Sequence, residues 1–431
     1  MKCAADNQRR TISVPPQWLA VTGVVFGLLF VVFQVYNPLA LVDRTASPTH
    51  DLFADTGIYR GGAQLLLAGG DLYGHVFHGP DNQTLPFTYP PFAAVMFVPM
   101  AGVSIHTAAL VTNTLSALIV WCVTAYLLTA CGSVLPGQLT RAGARRWACV
   151  IWPFALTCDP VLVNLNYAQI NIILLGMVML DVCRTDDRRL LPRGILTGLA
   201  AAIKLTPLVF FLFFVLDRDK TGLLRAAATA VIATAIGWAA APAQATNYFG
   251  SVMWNMDTRL PVASGSNGSV AGVLARAGLD HPGWWIAACA VVVLLTAWAV
   301  SRLLEAGSRP GAVIVCSFVA LACSPVSWVH HFVWLLPLVV LLGASLRFGP
   351  ATTGDTVAGW VAFVAAAIPL VVPAHRLIPG LPAPGGGYTT VDQLLGSIHV
   401  MAMAICVVAV ITRPGILSPK ATTGRSWTVT V

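Results

Sequence analysis

Long apolar runs separated by short polar segments dominate the chain, and they predict a helical membrane protein. The first run covers residues 18–35, and several others approach the roughly 20 residues that a helix needs to cross a bilayer. Further spans are predicted near residues 107–130, 147–163, 169–183, 223–242, 284–303, 311–325, 332–346, 356–373 and 394–412. The lipid bilayer is therefore the main solvent of this chain.

One apolar stretch, residues 194–216, is interrupted by Lys204 and Pro207. Proline has no backbone N–H to continue a helix, and a lysine inside the bilayer is costly. We therefore predict two short helices with Lys204 at the turn between them, entering and leaving the membrane on the same side. With this pair counted as two, about twelve membrane segments are predicted.

A polar segment, residues 37–106, follows the first span and contains a short amphipathic pattern. Apolar or small residues recur every three to four positions at Ile58, Gly62, Leu65, Leu66 and Gly69, while Arg60 and Gln64 fall on the other side. This pattern predicts a helix along the membrane surface, with Asp55 just before its first turn. Asp55 then has two compatible interpretations: an N-cap, or a base at the mouth of a membrane cavity. A later apolar piece, residues 92–102, is too short to cross.

Composition and charge agree with this assignment. The chain is 57% hydrophobic and only 10% charged, whereas a soluble domain carries about 25% charged residues. If the N-terminus is cytoplasmic, most of the 25 Lys and Arg residues lie on the cytoplasmic side, which is the usual bias. The net charge of +8 thus reports orientation and predicts no nucleic-acid partner. We expect one integral-membrane domain over residues 1–431, with cytoplasmic tails at 1–17 and 413–431 and a first external loop at 37–106.

Polar residues at the ends of many spans fall on the external side of this topology and predict one external site there. Lys204 indicates either an anionic partner or a side chain that reaches to the interface. The pair His330 and His331 can bind phosphate or belong to an interfacial loop. The amides near Gln169 could cap two spans or bind sugar hydroxyls. No P-loop or G-x-G-x-x-G motif is present, and the ten cysteines show no zinc-ligand or disulfide spacing.

Six motifs occur in order along the chain: D-x-x-I-Y from Asp55 with its amphipathic helix, LPFTYPPFAAVMF, NYAQINIILL, AIKLTP, SVAGVLAR and SPVSWVHH. This set resembles the polyprenyl-phosphate-mannose-dependent mannosyltransferases of actinobacteria, glycosyltransferase family 87. The resemblance covers about residues 50–340. It implies a GT-C-type fold, all α-helical, with a periplasmic amphipathic helix and an active site on the extracytoplasmic side of the cell membrane.

The same resemblance implies a reaction and its participants. Mannose would pass by inversion from polyprenyl-phosphate-mannose to a lipid-anchored mannoside, a phosphatidylinositol mannoside or lipomannan, in α-1,2 linkage. By this analogy Asp55 is the catalytic base, and the donor phosphate and sugar meet His330, His331, Lys204 and Arg60. The cleft candidates are Tyr59, Tyr89, Gln169, Asn171 and Asn267. Some relatives carry a second aspartate where this chain has Gly57, so we expect neither a metal nor another cofactor.

Other function classes fit part of the pattern. An arabinofuranosyltransferase of the same fold would share the site. A transporter or flippase of lipid-linked sugar should show charges at the membrane midplane and often a repeat in its two halves. We find no clear repeat, and the polar residues cluster at one face, which favours an enzyme whose partners are membrane lipids, the lipid-linked donor and a glycolipid acceptor. A membrane scaffold would not explain Lys204 or the histidine pair.

Overall fold

The computed structural model describes residues 14–36, 53–78, 84–134, 139–183, 191–255, 260–279, 281–348, 352–379 and 387–418. Within these ranges the regular structure is helical apart from one small antiparallel sheet. Its strands are β1 (Val76–His78) and β2 (Thr84–Pro86), with Phe77 opposite Leu85. Asp51, the other carboxylate near Asp55, lies outside the described residues.

The described residues between 14 and 255 form twelve α-helices. They are α1 (Gln17–Tyr36), α2 (Ala54–Leu67), α3 (Pro91–Met96), α4 (Val98–Ala101), α5 (Ile105–Val134), α6 (Arg141–Thr157), α7 (Asp159–Tyr167), α8 (Asn171–Cys183), α9 (Ile195–Ile203), α10 (Phe210–Leu216), α11 (Lys220–Ala240) and α12 (Pro242–Gly250). Short 3-10 helices lie at Thr206–Val209 and Val252–Trp254.

The described residues between 260 and 418 form seven further α-helices and three 3-10 helices. The helices are α13 (Val270–Arg276), α14 (Pro282–Glu305), α15 (Arg309–Cys323), α16 (Leu335–Phe348), α17 (Thr353–Val371), α18 (Thr390–Gly396) and α19 (Ile398–Thr412). The 3-10 turns are Val329–Trp334, Ala374–Arg376 and Pro414–Leu417. Helix α1 packs against α5 and α6, and α17 packs against α16 and α19.

The helices are those of a multi-pass membrane protein. In the described part of the chain, 6 helices are long and apolar enough to cross a membrane, or up to 8 if each of two bent pairs forms one span. Three shorter apolar helices, at Asn171–Cys183, Thr206–Leu216 and Arg309–Cys323, accompany them. The prediction of an all-α polytopic protein is confirmed, whereas the structure does not by itself yield twelve spans.

The span predicted over residues 147–163 is bent rather than straight. Helix α6 ends at Thr157, α7 begins at Asp159, and their axes differ by 71°. Pro160 lies in the first turn of α7 and has no N–H to donate to a carbonyl of α6. The bend moves the polar residues of α7 sideways, towards the 3-10 helix Val329–Trp334, against which α7 packs.

The predicted break at Lys204 is confirmed. Helix α9 ends at Ile203, Lys204 has an extended backbone, and a 3-10 helix with Pro207 in its first turn follows. An extended residue at this point ends the ladder of helical hydrogen bonds and turns the lysine side chain away from the helix axis. Helix α9 contacts both α8 and α11, and Lys204, directly after α9, lies at the N-terminal end of α8.

Helix α2 differs from its prediction at both ends. It begins at Ala54, so Asp55 lies within the first turn rather than before it, and Phe53 occupies the cap position without a side-chain cap bond. The N-cap interpretation of Asp55 is therefore wrong. The helix ends at Leu67, before the predicted Gly69. Its buried face contacts α3, α4 and α5, and the short apolar piece 92–102 forms α3 and α4.

Candidate active site

Asp55 is fixed against the turn between α7 and α8. The Phe53 N–H donates to the Asn166 carbonyl at 2.9 Å, and the Thr56 hydroxyl donates to the Ala168 carbonyl at 3.0 Å. Phe53 and Ala168 both have positive φ, 71° and 47°, which a non-glycine residue adopts only at a cost. One hydrogen bond on each side of Asp55, at Phe53 and at Thr56, thus fixes its backbone to the α7–α8 turn.

A hydrogen-bonded cluster of two tyrosines and one amide lies beside Asp55. The Tyr59 hydroxyl donates to Gln169 Oε1 at 2.7 Å and lies 2.9 Å from the Tyr89 hydroxyl. Gln169 Nε2 donates to the Tyr89 hydroxyl at 3.3 Å. All three side chains are buried. Tyr59 follows Asp55 by four positions on α2, so the cluster lies on the same face of the helix as the carboxylate.

Lys204 lies next to Tyr89 of this cluster. Its Nζ donates to Asn171 Oδ1 at 2.9 Å and lies 5.5 Å from the centroid of the Tyr89 ring. The ammonium is attracted to the negative face of an aromatic ring at this distance. Asn171 is the first residue of α8, two positions after Gln169, so the same turn supplies a hydrogen-bond partner to both the tyrosine hydroxyls and the ammonium.

His331 completes the cluster and His330 faces elsewhere. His331 Nε2 lies 3.2 Å from Lys204 Nζ, and His331 Nδ1 accepts a hydrogen bond from the Trp328 N–H at 3.1 Å. His330 is buried, its carbonyl accepts from Asn171 Nδ2 at 3.1 Å, and its ring stands edge-on to Tyr167. Only one ring of the predicted histidine pair therefore contacts Lys204.

The tautomer of neutral His331 follows from these contacts. A backbone N–H can only donate, so Nδ1 is the unprotonated nitrogen and Nε2 carries the proton. Lys204 as an ammonium also has only protons to offer. Two donors therefore lie 3.2 Å apart, an arrangement that favours an anionic acceptor beside the pair and within reach of both nitrogens.

Burial controls the electrostatics at Asp55. It raises the pKa of the half-buried carboxyl from 3.8 to about 6, although the Lys204 charge and the Gln169 hydrogen bond lower it. Burial also raises the pKa of the Tyr59 and Tyr89 hydroxyls, which stay protonated at neutral pH. The carboxyl of Asp55 can therefore exchange a proton near neutrality, whereas the two tyrosine hydroxyls cannot.

A pocket opens beside Lys204 and His331. It is narrow, with a cavity volume of ≈ 40 Å³. Asn171, Lys204 and His331 supply polar groups, while residues such as Leu174, Phe210 and Trp334 supply apolar walls. A ligand with a charged group joined to a hydrocarbon chain matches this combination of surfaces.

Two other sequence candidates have different neighbours. Arg60 Nε donates to the Val103 carbonyl at 2.8 Å. Asn267 is fully buried, and its Nδ2 donates to the carbonyls of Val262 and Pro325, at 2.9 and 3.0 Å. Asn267 Oδ1 accepts from the Ser327 N–H at 2.9 Å. Asn267 thus fixes the loop that leads to His331.

Sequence reasoning missed Thr56 and the Trp328 backbone. Thr56 is fully buried and ties α2 to the α7–α8 turn. Its position next to Asp55 was a usable signal, because a hydroxyl in the first turn of a helix commonly bonds to a nearby carbonyl. No sequence signal reports the Trp328 N–H. Among the residues that the structure describes, no three His, Cys, Asp or Glu side chains form a group that could hold a metal ion.

Comparison with known proteins adds a family and named relatives. The model of glycosyltransferase family 87 matches residues 87–325, a range that includes Tyr89, Gln169, Asn171, Lys204 and Asn267 but not Asp55 or the histidine pair. No solved structure matches the chain.

Three relatives illustrate the similarity. A polyprenol-phosphate-mannose-dependent alpha-(1-2)-phosphatidylinositol mannoside mannosyltransferase of Mycolicibacterium smegmatis is 38% identical over 343 residues, which are 75% of this chain and 77% of that protein. A protein of the same name from Mycobacterium tuberculosis is 36% identical, over 67% of this chain and 70% of its own. A phosphatidylinositol pentamannoside mannosyltransferase of Mycolicibacterium smegmatis is 33% identical, over 72% and 73%.

Proposed function

The chain belongs to glycosyltransferase family 87, and we propose that it transfers mannose from polyprenol-phosphate-mannose to a phosphatidylinositol mannoside, forming an α-(1-2) linkage. The names of its relatives supply the donor, the acceptor class and the linkage. The convergence of Asp55, Gln169, Lys204 and His331 carries the mechanism. These residues combine a base with two cationic or proton-donating groups beside a partly apolar pocket.

Asp55 is the proposed general base. As the acceptor hydroxyl attacks the anomeric carbon, it must lose its proton, and a carboxylate in a partly buried site is a suitable acceptor. The raised pKa, about 6, keeps Asp55 ionised at neutral pH while making it a stronger base than an exposed aspartate. At neutral pH Asp55 is therefore both ionised and basic enough to accept a proton.

Lys204 and His331 are the proposed site for the donor phosphate. When the bond between phosphate and mannose breaks, the leaving polyprenyl phosphate gains a negative charge. The Lys204 ammonium and the His331 Nε2–H both donate towards that position and stabilise the charge as it develops. Asn171 Oδ1 accepts a hydrogen bond from the ammonium at 2.9 Å and so holds it in place. The apolar walls of the adjoining pocket suit the first units of the polyprenyl chain.

One displacement with inversion completes the proposed reaction. The acceptor oxygen forms its bond to the anomeric carbon on one side while the phosphate leaves on the other, and Asp55 takes the hydroxyl proton. No covalent nucleophile is required. Lys204 and His331 provide the charge stabilisation that a metal ion provides in other phosphate-leaving reactions, so we retain the expectation of a metal-free, cofactor-free enzyme.

The fold and the side of the reaction are also part of the proposal. A single GT-C-type domain with about twelve membrane segments and an external active site agrees with the concentration of Lys and Arg in the segments assigned to the cytoplasm. Helix α2 would then lie at the external membrane surface and present Asp55 to a lipid-anchored acceptor.

Turnover with defined lipids tests this function. Purified full-length protein in lipid nanodiscs should convert radiolabelled polyprenyl-phosphate-mannose and a phosphatidylinositol mannoside into a product with one further α-(1-2)-linked mannose. Polyprenyl-phosphate-arabinose serves as the control donor and should not be used. If the protein moves the labelled donor across proteoliposome membranes without forming product, it is a flippase and the proposal fails. Preference for the arabinose donor would also contradict it.

A further inference from the structure

We propose that Arg60 binds the phosphodiester of the glycolipid acceptor, and that the acyl chains of this lipid lie along the exposed face of α5. The inference rests on the acceptor proposed above, a phosphatidylinositol mannoside, whose phosphodiester joins its glycerol to its inositol. It gives the acceptor an anion site of its own, apart from the one proposed for the donor phosphate at Lys204 and His331. Arg60 is thereby moved from the donor phosphate, which the resemblance implied for it, to the acceptor.

Arg60 lies on α2 but does not share a face with the proposed base. It follows Asp55 by five positions, which places the two side chains about 140° apart around the helix axis. Arg60 Nε donates to the Val103 carbonyl at 2.8 Å. This bond fixes the guanidinium at the segment that joins α4 to α5, and it leaves the two terminal nitrogens to donate to another group.

The charge of Arg60 is not balanced by a carboxylate in the described part of the chain. The Arg60 side chain forms no ion pair there, and its hydrogen bond goes to a carbonyl. Helix α5 begins at Ile105, two positions after Val103, so the positive end of the helix dipole lies near the guanidinium. Two neighbouring positive groups attract an anion. Phosphate is especially suitable, because the planar guanidinium can donate to two of its oxygens at once.

A stripe of exposed residues on α5 begins at the same segment. Its members recur every three to four positions on one face of the helix: Thr107, Val111, Leu115 and Leu118. The Thr107 hydroxyl lies 2.9 Å from the hydroxyl of Ser104, the residue after Val103. The opposite face is buried, where Asn113 Nδ2 donates to the Leu165 carbonyl at 2.9 Å. A lipid whose phosphate is bound at Arg60 therefore has its acyl chains beside this stripe.

The acceptor and the donor then lie against different helices. The pocket proposed for the polyprenyl chain has walls from Leu174, Phe210 and Trp334, which belong to α8, α10 and the 3-10 helix before α16. The α5 stripe belongs to none of these elements. Along α2, Asp55 and Arg60 are five residues apart, an axial rise of about 7.5 Å. A lipid held at Arg60 can thus extend its sugars along α2 to Asp55 while the donor occupies its own pocket.

Two acceptors test the contact with the phosphodiester. A phosphatidylinositol mannoside carries this group, whereas an alkyl α-mannoside with the same mannose residues lacks it. For the first acceptor, Arg60→Met should raise KM by about five- to tenfold in nanodiscs, because a charge-assisted contact is lost at a partly exposed site. Arg60→Lys keeps the charge without the planar fork and should give an intermediate value. For the alkyl mannoside, wild type and Arg60→Met should have equal KM, and kcat and the KM for the donor should not change.

Gln64→Met is the matched control, because Gln64 lies one turn further along α2 and its Nε2 donates to the Ala101 carbonyl at 3.1 Å. It should leave all these constants unchanged. If Gln64→Met has the same effect as Arg60→Met, or if Arg60→Met raises the KM for both acceptors alike, Arg60 only holds α2 in place and the inference is overturned. A raised KM for the donor would show that Arg60 binds the donor phosphate, which also overturns it.

A photoreactive acceptor tests where the acyl chains lie, and it requires no turnover. With a diazirine on one acyl chain, a phosphatidylinositol mannoside should label residues 107–118, and unlabelled acceptor should displace this labelling. The comparison is α11, where Val231, Ile232 and Ile236 are also exposed. Equal displaceable labelling of α11, or undiminished labelling of α5 in Arg60→Met, would contradict the inference. The proposed function is judged separately: it fails if wild type forms no product from either acceptor, whatever the labelling.

Discussion

Lys204 Nζ lies 3.2 Å from His331 Nε2, although the two residues are 127 positions apart in the chain. Each residue lies where a regular α-helix is interrupted. Lys204 lies at the break after α9, and His331 lies in the 3-10 helix before α16. Because the Trp328 N–H occupies His331 Nδ1, both facing groups are donors. The pair thus has the geometry of an anion site whose acceptor would be a phosphate oxygen.

Lys204→Met should keep the fold and weaken donor use. The substitution removes a costly charge from an apolar stretch, so the thermal midpoint should not fall. Loss of one charge-assisted bond to phosphate should lower kcat/KM for the lipid-linked donor by about 10- to 100-fold. Steady-state kinetics in nanodiscs checks this. Lys220→Met is the matched control, because Lys220 is exposed at the start of α11 and should behave like wild type.

The two histidines should respond differently to the same change. His331→Ala removes the Nε2–H donor and should lower kcat/KM by about tenfold or more, whereas His331→Gln retains an N–H of similar reach and should recover part of it. His330→Gln should have a smaller effect, because the contact of His330 with Asn171 uses its backbone carbonyl. Equal losses in His330→Gln and His331→Gln would contradict the assignment of the phosphate contact to His331.

The sequence could not show which of these two histidines contacts Lys204. The geometry of a 3-10 turn shows why only one of them can. Neighbouring side chains on a 3-10 turn point about 120° apart, so two consecutive rings cannot both face Lys204. The same reasoning separates Tyr59 from Arg60. Tyr59 follows Asp55 by four positions and shares its face of the helix. Arg60 follows Asp55 by five positions, so it lies about 140° from Asp55 around the helix axis.

Local sequence was sufficient where the cause is local. Pro207 and the lysine before it predicted the break at Lys204, because the missing N–H and the buried charge act within a few residues. The start of α2 was different: Phe53 takes a left-handed backbone conformation, and its N–H bonds to Asn166, more than a hundred positions later. Such a tertiary bond leaves no local signal, so the sequence placed Asp55 at the cap.

Asn267 should matter for the stability of the loop that leads to His331. Its side chain satisfies two carbonyls and the N–H groups of Ser269 and Ser327. Asn267→Ala leaves these groups unpaired and should destabilise the protein by at least about 1–3 kcal/mol, with a raised KM for the donor. Asn255→Ala is the exposed control. Thermal unfolding followed by tryptophan fluorescence checks the prediction; equal melting temperatures for Asn267→Ala and wild type would contradict it.

The pH dependence of kcat should show the raised pKa of Asp55. Below about pH 6 the base is protonated, so the rate should fall tenfold for each unit of acid, and above that value it should level off. Lys204 lowers the pKa of Asp55, so the limb of Lys204→Met should move to higher pH. A limb near pH 3.8, the ordinary value for aspartate, would show that burial does not act on the working base.

The side-chain exchange Asp55→Asn keeps the size of the residue while removing its ability to take a proton. Because burial raises the folded-state pKa of Asp55 above its ordinary value, ionisation costs stability as the pH rises from about 4 to 6. The neutral Asn variant should therefore be no less stable at neutral pH, with a melting temperature within a few degrees of wild type or above it. Asp71→Asn is the matched control, since Asp71 follows α2 and its carboxylate accepts the backbone N–H groups of Tyr73 and Gly74 rather than facing Lys204 or His331.

The most direct test is single-turnover transfer by Asp55→Asn in nanodiscs, with saturating labelled donor and a phosphatidylinositol mannoside. General-base catalysis typically contributes about 10²–10⁴-fold, so the variant should bind the donor as wild type does and transfer mannose slower by at least that factor at every pH. Asp71→Asn should transfer at the wild-type rate. A folded Asp55→Asn protein that transfers mannose within tenfold of wild type would contradict the assignment of Asp55 as the base.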